Sequence, residues 1–187
     1  MSKKSYVFLI VILLLVSCGN SSRQKRQSNR QAAQTEKPAE ERRKIDTLIF
    51  SRGEEYVVKV VGITDGDTFT GLTADYKQVT CRIFGIDAPE RRQAFSNRAK
   101  QKLSDLIFGK QVKIKIQGRH FKRAVVWVYT PDGKDVALEM LRAGLAWHYK
   151  QFSKDVEYAE LEDAARQRKI GLWADKNPIE PWNYRKK

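Results

Sequence analysis

Apolar and polar positions divide this chain into three stretches. Residues 6–16 are apolar without interruption, residues 19–46 show no apolar periodicity, and from about Thr47 short β-branched runs alternate with turns. The spacing predicts a strand over residues 56–63, a turn at Asp65-Gly66-Asp67, and a returning strand over 68–72. A second turn at Asp75-Tyr76-Lys77 leads into a third strand over 78–86. Residues 97–108 carry Ala99, Leu103, Leu106 and Ile107 at helical spacing and stop at Gly109. Val112, Ile114 and Ile116 alternate with Lys113 and Lys115, which reads as a half-buried strand over 110–117 with a basic outer face. Residues 124–129 form a buried strand stopped by Pro131-Asp132-Gly133. A short apolar helix over 136–143 ends at Gly144, and a last helix over 158–169 sets Tyr158, Leu161, Ala164 and Ala165 on one face.

Five strands with a helix between the third and fourth predict an α+β fold, a five-stranded barrel of the oligonucleotide-binding (OB) type with about three packed helices. Residues 47–187, about 140 in number, are enough for one buried core. Residues 18–46 are built of Ser, Gln, Asn, Arg, Lys and Glu with a few Ala, and bury too little apolar surface to offset ordering entropy; a disordered tether is expected there. Before it, Lys3 and Lys4 precede the eleven apolar residues 6–16, too few to cross ~30 Å of hydrocarbon as a helix. Residues 1–17 therefore read as an export signal. Leu15-Val16-Ser17-Cys18 resembles the bacterial lipobox, which implies cleavage before Cys18, a lipid on its thiol and a membrane anchor in the cell envelope, facing periplasm or exterior. An ordinary secretory signal that happens to end in Cys is the alternative.

Charge narrows the function classes. The formal net charge is +14 and the pI near 9.8, which points to a polyanionic partner. The tether carries eight basic and four acidic residues, so most of the excess lies in the predicted barrel. Against that background an acidic cluster stands out: Asp65-Gly66-Asp67-Thr68, then Asp87-Ala88-Pro89-Glu90, with Arg82 between them. Hydrolysis of a phosphodiester requires neutralised phosphoryl oxygens and an aimed water, and a hard cation held by carboxylates serves both needs. Asp67 and Asp87 are the candidate ligands. Oxygen donors without a nearby histidine or thiolate pair exclude zinc and favour Ca²⁺ ahead of Mg²⁺ or Mn²⁺. Taken separately, each acidic motif also reads as a plain turn. Cys18 and Cys81 form no pair, and Cys81 is expected as a small buried hydrophobe.

The two acidic motifs in this order resemble the staphylococcal nuclease (thermonuclease) family, from about Tyr56 to Trp173. The resemblance implies that Asp67 and Asp87 hold the metal, that Ala88 adds its backbone carbonyl, and that Asp65 acts from the outer shell through water. It implies Glu90 as the residue that activates or orients the attacking water, and Arg82 as the first catalytic arginine. The family's D-x-Y-G-R before the fifth strand reads Arg119-His120-Phe121-Lys122-Arg123 here. The frame of the following strand assigns Arg123 as the second catalytic arginine, with Arg119 as fallback. Phe121 takes the aromatic position that packs on a base or sugar, and Lys122 joins it on substrate. Replacement of the family's Gly by Lys122 is expected to strain the turn, where positive φ disfavours a side chain. His120 is expected at the surface and His148 packed near the barrel.

The implied activity is a Ca²⁺-dependent nuclease, one ion per site, acting on single-stranded DNA or RNA, as a monomer without a protein partner. A membrane-anchored nucleic-acid-binding OB module with little catalysis is the second reading, and a surface lipoprotein whose barrel serves assembly or adhesion the third. The acidic cluster argues against both, since binding a polyanion gains nothing from four carboxylates.

Overall fold

The computed structural model describes residues 51–186. Five strands close a barrel in the order β1, β2, β3, β6, β5: β1 is Glu55–Ile63, β2 Thr68–Leu72, β3 Gln78–Ile83, β5 Gln111–His120 and β6 Arg123–Tyr129. Neighbours run antiparallel except β3 and β6, which pair in parallel with Arg82 opposite Val125. Register shifts between Val60 and Gly62 in β1 and between Ile116 and Gly118 in β5 interrupt the ladders, and such bulges increase local bend and twist. The alternation read from sequence becomes the barrel interior. Val58, Phe69, Cys81, Ile83, Val112, Ile114, Ile116, Val126 and Val128 are all buried there.

Helix α1 (Ser96–Ile107) lays Ala99, Leu103 and Ile107 onto this core. Helix α2 (Val136–Arg142) adds Met140 and Leu141, and packs on α3 (Val156–Gln167). Asp135 and Asp155 begin these last two helices, each accepting hydrogen bonds from two backbone N–H groups of the first turn. These are the three substantial helices of the described residues. A 3₁₀ turn (Gly171–Ala174) and a four-residue helix α4 (Pro181–Tyr184) follow.

Two departures from the expected elements bear on the site. The strand expected over 78–86 breaks after Ile83. Gly85 adopts φ 78°, and a Cβ there would lie 2.8 Å from the Tyr158 ring, so the chain turns where only glycine fits. Beyond the turn, β4 (Ile86–Asp87) leaves the barrel and pairs with β7 (Trp147–His148), which sets Asp87 opposite Trp147. The second departure is the hairpin between β5 and β6, where β5 runs on to His120 and His120 pairs with Arg123. Positive φ falls on Phe121 (53°) and not on Lys122, so the strain expected of Lys122 moves one residue earlier.

Behind β7 two glycines meet. Gly144 and Gly171 both have φ 61°; a Cβ on Gly144 would lie 2.3 Å from the Ile170 carbonyl oxygen, and one on Gly171 would lie 2.2 Å from that of Gly144. The Leu172 N–H donates to Gly144 O at 2.8 Å, which fastens the start of the 3₁₀ turn to the end of α2. Among the described residues, no helix is long and apolar enough to cross a membrane.

Candidate active site

The turn from β1 to β2 delivers Asp67. Asp65 Oδ1 accepts from the Asp67 N–H at 3.0 Å, closing the loop on itself. Gly66 has no room for a side chain, since a Cβ would come within 2.7 Å of both Ala88 and Ala99. This contact brings the two acidic motifs together. Asp67 is 2% exposed and Asp87 fully buried, and the Ala88 N–H donates to Asp67 Oδ2 at 2.8 Å. The Thr68 hydroxyl donates to Asp67 Oδ1 at 2.9 Å.

Arg82, from the parallel strand β3, bridges the pair: Nη1 meets Asp67 Oδ1 at 3.1 Å and Nη2 meets Asp87 Oδ1 at 2.5 Å. Burial disfavours the Arg82 charge, but the carboxylates of Asp67 and Asp87 outweigh it and hold its pKa above the ordinary arginine value. Burial lifts Asp67 to about 6 from 3.8, with Arg82 pulling it down and Asp65 pushing it up. Cys81, behind the site, is pushed up to about 12 by burial and behaves as an apolar side chain.

Glu90 lies at the rim, half-buried, with its N–H donating to Gln93 Oε1 at 2.9 Å. One contact at the site escaped the sequence reading altogether. Arg185, 98 residues beyond Asp87, grips that carboxylate with both nitrogens, Nη2 to Oδ2 at 2.7 Å and Nη1 to Oδ1 at 3.2 Å, and its Nη1 also bonds Glu90 Oε1. No motif marks it. The available signal was an aromatic-rich run, Pro181-Trp182-Asn183-Tyr184, placed after the last periodic helix, where a tail is usually polar.

Arg82, Glu90 and Arg185 border a cleft of about 660 Å³. Arg119, His120, Arg123, Tyr149 and Phe152 also line it. Arg123 Nη2 stands 3.5 Å from His120 Nδ1, while Arg119 Nε donates to the Phe121 carbonyl at 2.9 Å. Both arginines named from sequence thus face the same cleft. Phe121 is 82% exposed at the hairpin tip, edge-on to the His120 ring, and Lys122 is exposed beside it. His148 is buried, its Nε2 3.1 Å from the Ser153 carbonyl oxygen, and takes no part in the cleft. Its pKa is lowered chiefly by burial.

The donor set suits a hard divalent cation. Four carboxylates face two guanidiniums, Arg82 and Arg185, which leaves two negative charges among oxygen atoms alone. Among the described residues, no three acidic, histidine or cysteine side chains converge closely enough to enclose an ion by themselves. Carbonyls, water and a substrate oxygen would complete a coordination sphere built on Asp67 and Asp87. Ala88 touches Asp67 through its N–H, a positioning role besides the carbonyl role that the resemblance implies.

Comparison with known proteins agrees with this geometry. The family model described as staphylococcal nuclease homologue matches residues 80–175, which include Arg82, Asp87, Glu90 and both cleft arginines. An uncharacterized endonuclease of Haemophilus influenzae is 42% identical over 134 residues, covering 71% of this chain and 75% of the relative. An uncharacterized endonuclease of Escherichia coli O157:H7 is 38% identical over 128 residues, 68% of this chain and 83% of the relative. A micrococcal nuclease of Shigella flexneri is 37% identical over 139 residues, 68% of this chain and 79% of the relative. With a closed barrel, a paired-carboxylate site bridged by arginine, and a match over half its length, the chain belongs to the staphylococcal nuclease homologue family.

Proposed function

We propose that the chain is a Ca²⁺-dependent nuclease that hydrolyses phosphodiester bonds of single-stranded DNA or RNA. The coarser part, a hydrolytic nuclease acting on nucleic acid, follows from family membership and from relatives named endonuclease and micrococcal nuclease. The observation that carries the finer part is the meeting of buried Asp67 and Asp87 on Arg82, which lines an arginine-rich cleft together with Glu90.

Asp67 and Asp87 would hold the cation, whose charge, when bound, neutralises phosphoryl oxygens and helps orient water. Glu90 lines the cleft and is half-exposed, which suits it to accept the proton of the attacking water. Arg82 and Arg123 donate to the phosphoryl oxygens as charge accumulates there. Tyr149, Phe152 and Phe121 offer apolar faces to bases or sugars. Stacking tolerates any base, so little sequence preference is expected. The acidic cluster disfavours a pure binding module, because four carboxylates beside the groove repel a polyanion unless a cation joins them.

Residues 1–46 lie outside the described residues. The lipobox-like run at Cys18 and the polar composition of 18–46 support an envelope lipoprotein with its nuclease domain, residues 47–187, on a tether.

The test of the nuclease reading is hydrolysis of single-stranded DNA by residues 47–187 with Ca²⁺ and then with chelator. Cleavage that needs Ca²⁺ is expected. Cleavage undiminished by chelator would remove the metal from the mechanism, and no cleavage in Ca²⁺ would favour the binding module.

A further inference from the structure

Arg185 reaches the site on a segment that is built to bring it there. Trp182 stacks on Tyr149 at 5.1 Å with the rings 3° from parallel, and meets Trp147 edge-on at 5.8 Å. Trp147 in turn packs edge-on against Trp173 at 4.3 Å, and the Arg166 guanidinium lies 3.8 Å above the Trp173 ring. Gln93 clasps the segment from the other side: its Nε2 donates to the Ile179 carbonyl at 2.6 Å while its Oε1 receives the Glu90 N–H. One side chain therefore ties the Glu90 loop to the strap that carries Arg185. All of Ile179, Trp182 and Arg185 lie beyond residues 80–175, the part that matches the family model.

We propose that Arg185 is a built-in competitor of the metal ion, an autoinhibitory guanidinium that occupies Asp87 and Glu90 until a divalent cation displaces it. The inference rests on the reading of Asp67 and Asp87 as metal ligands. Both Asp87 oxygens are engaged by Arg185, and Oδ1 also by Arg82, so a cation cannot take Asp87 as a free carboxylate. Of the two arginines, Arg185 is the one that can leave. Its side chain is 38% exposed against 17% for Arg82, and it hangs from a four-residue helix at the surface while Arg82 is fixed in a barrel strand. Release would also free Glu90, since the same guanidinium holds the oxygen that must accept a proton from water. Cation binding and liberation of the base thus become a single event. The guanidinium, once released, stays at the edge of the cleft lined by Arg119 and Arg123, where a phosphate is its nearest alternative partner.

The test is titration of Ca²⁺ alone, without substrate, into wild type, Arg185→Ala and Trp182→Ala by isothermal calorimetry. Loss of a partly exposed, charge-assisted bidentate pair predicts Ca²⁺ binding roughly ten-fold tighter in Arg185→Ala. Trp182→Ala, which keeps the arginine but loosens its strap, should move affinity in the same direction by less. Tryptophan emission of the wild type should change on Ca²⁺ addition as the Trp182–Tyr149 stack shifts, and this change should shrink in Arg185→Ala. Equal or weaker Ca²⁺ affinity in Arg185→Ala would overturn the competitor while leaving the metal centre intact. No Ca²⁺ binding by any of the three proteins would overturn the metal centre, and the competitor with it.

Discussion

Asp67→Asn in metal-free protein should stabilise the fold while abolishing its activity. In the native state burial raises the Asp67 carboxyl to about 6, against 3.8 in the unfolded chain. Between those two values the folded protein holds a proton that the unfolded chain has released, so stability falls as pH rises through the window. Below about pH 4 the carboxyl is protonated in both states and contributes no pH dependence. Above about pH 6 the full penalty is in force: about two pKa units at ~1.4 kcal/mol each, or roughly 3 kcal/mol. Asparagine has no charge to desolvate, and its single oxygen keeps one of the two acceptor positions, for the Ala88 N–H or for Arg82 and the Thr68 hydroxyl, so the gain is a ceiling; Arg82 retains Asp87. Urea denaturation of wild type and variant, both in chelator, should therefore show the variant more stable by up to about 3 kcal/mol at pH 8, with the gap closing toward pH 4. Single-stranded DNA cleavage in Ca²⁺ should be lost in the same variant. A variant no more stable than wild type at pH 8, or a gap equal at both pH values, would refute the assignment of burial as the dominant effect at Asp67.

Other perturbations separate the remaining roles. Arg82→Ala should lower kcat by ~10²-fold or more, the scale for removal of one donor that stabilises developing charge. Arg123→Ala should do likewise in steady-state cleavage assays; if Arg119→Ala is the damaging change and Arg123→Ala is silent, the assignment across the hairpin is reversed. Glu162, 1% exposed, accepts from the His148 N–H and pairs with Lys150 and Arg166, so Glu162→Ala should cost about 2–4 kcal/mol in chemical denaturation through an orphaned buried N–H and a cavity. Cys18→Ser should move the protein from the detergent to the aqueous phase on detergent partitioning of cells, without loss of nuclease activity; wild type in the aqueous phase with another first residue would make this a secreted enzyme.

The barrel was legible because its strands carry a strict two-residue alternation, Val112 to Ile116 most plainly, and because glycine and Asp-Gly turns separate them. Asp67, Arg82, Asp87 and Glu90 were legible through short motifs that hold chemistry and turn geometry together, and the structure does bring them to one place. The break at Gly85 was hidden, since Ile83, Phe84 and Ile86 read as one apolar run and only packing against Tyr158 shows why the chain turns there. Positive φ at Phe121 was hidden for a related reason: hairpin register depends on where β5 ends, and its last three residues, Gly118, Arg119 and His120, carry no alternation. Arg185 was the largest omission. An ion pair that spans 98 residues leaves no trace in local periodicity, and a lone arginine in a basic chain of 36 Lys and Arg is indistinguishable from its neighbours.

The crossing of Gly144 and Gly171 has an evolutionary consequence. A side chain at Gly144 would run into the Ile170 backbone and one at Gly171 into the Gly144 backbone, so neither can be repaired by changing a neighbouring side chain, and a compensating pair of substitutions does not exist. The crossing sits between α2 and the 3₁₀ turn, immediately before β7, whose Trp147 pairs with Asp87. In a mutational scan selected for cleavage, both positions should therefore score as intolerant as Asp87 itself, although neither faces the cleft. Invariance at these two positions across relatives would reflect how the scaffold is clamped shut, and a search for catalytic residues by invariance alone would mistake a hinge pin for chemistry.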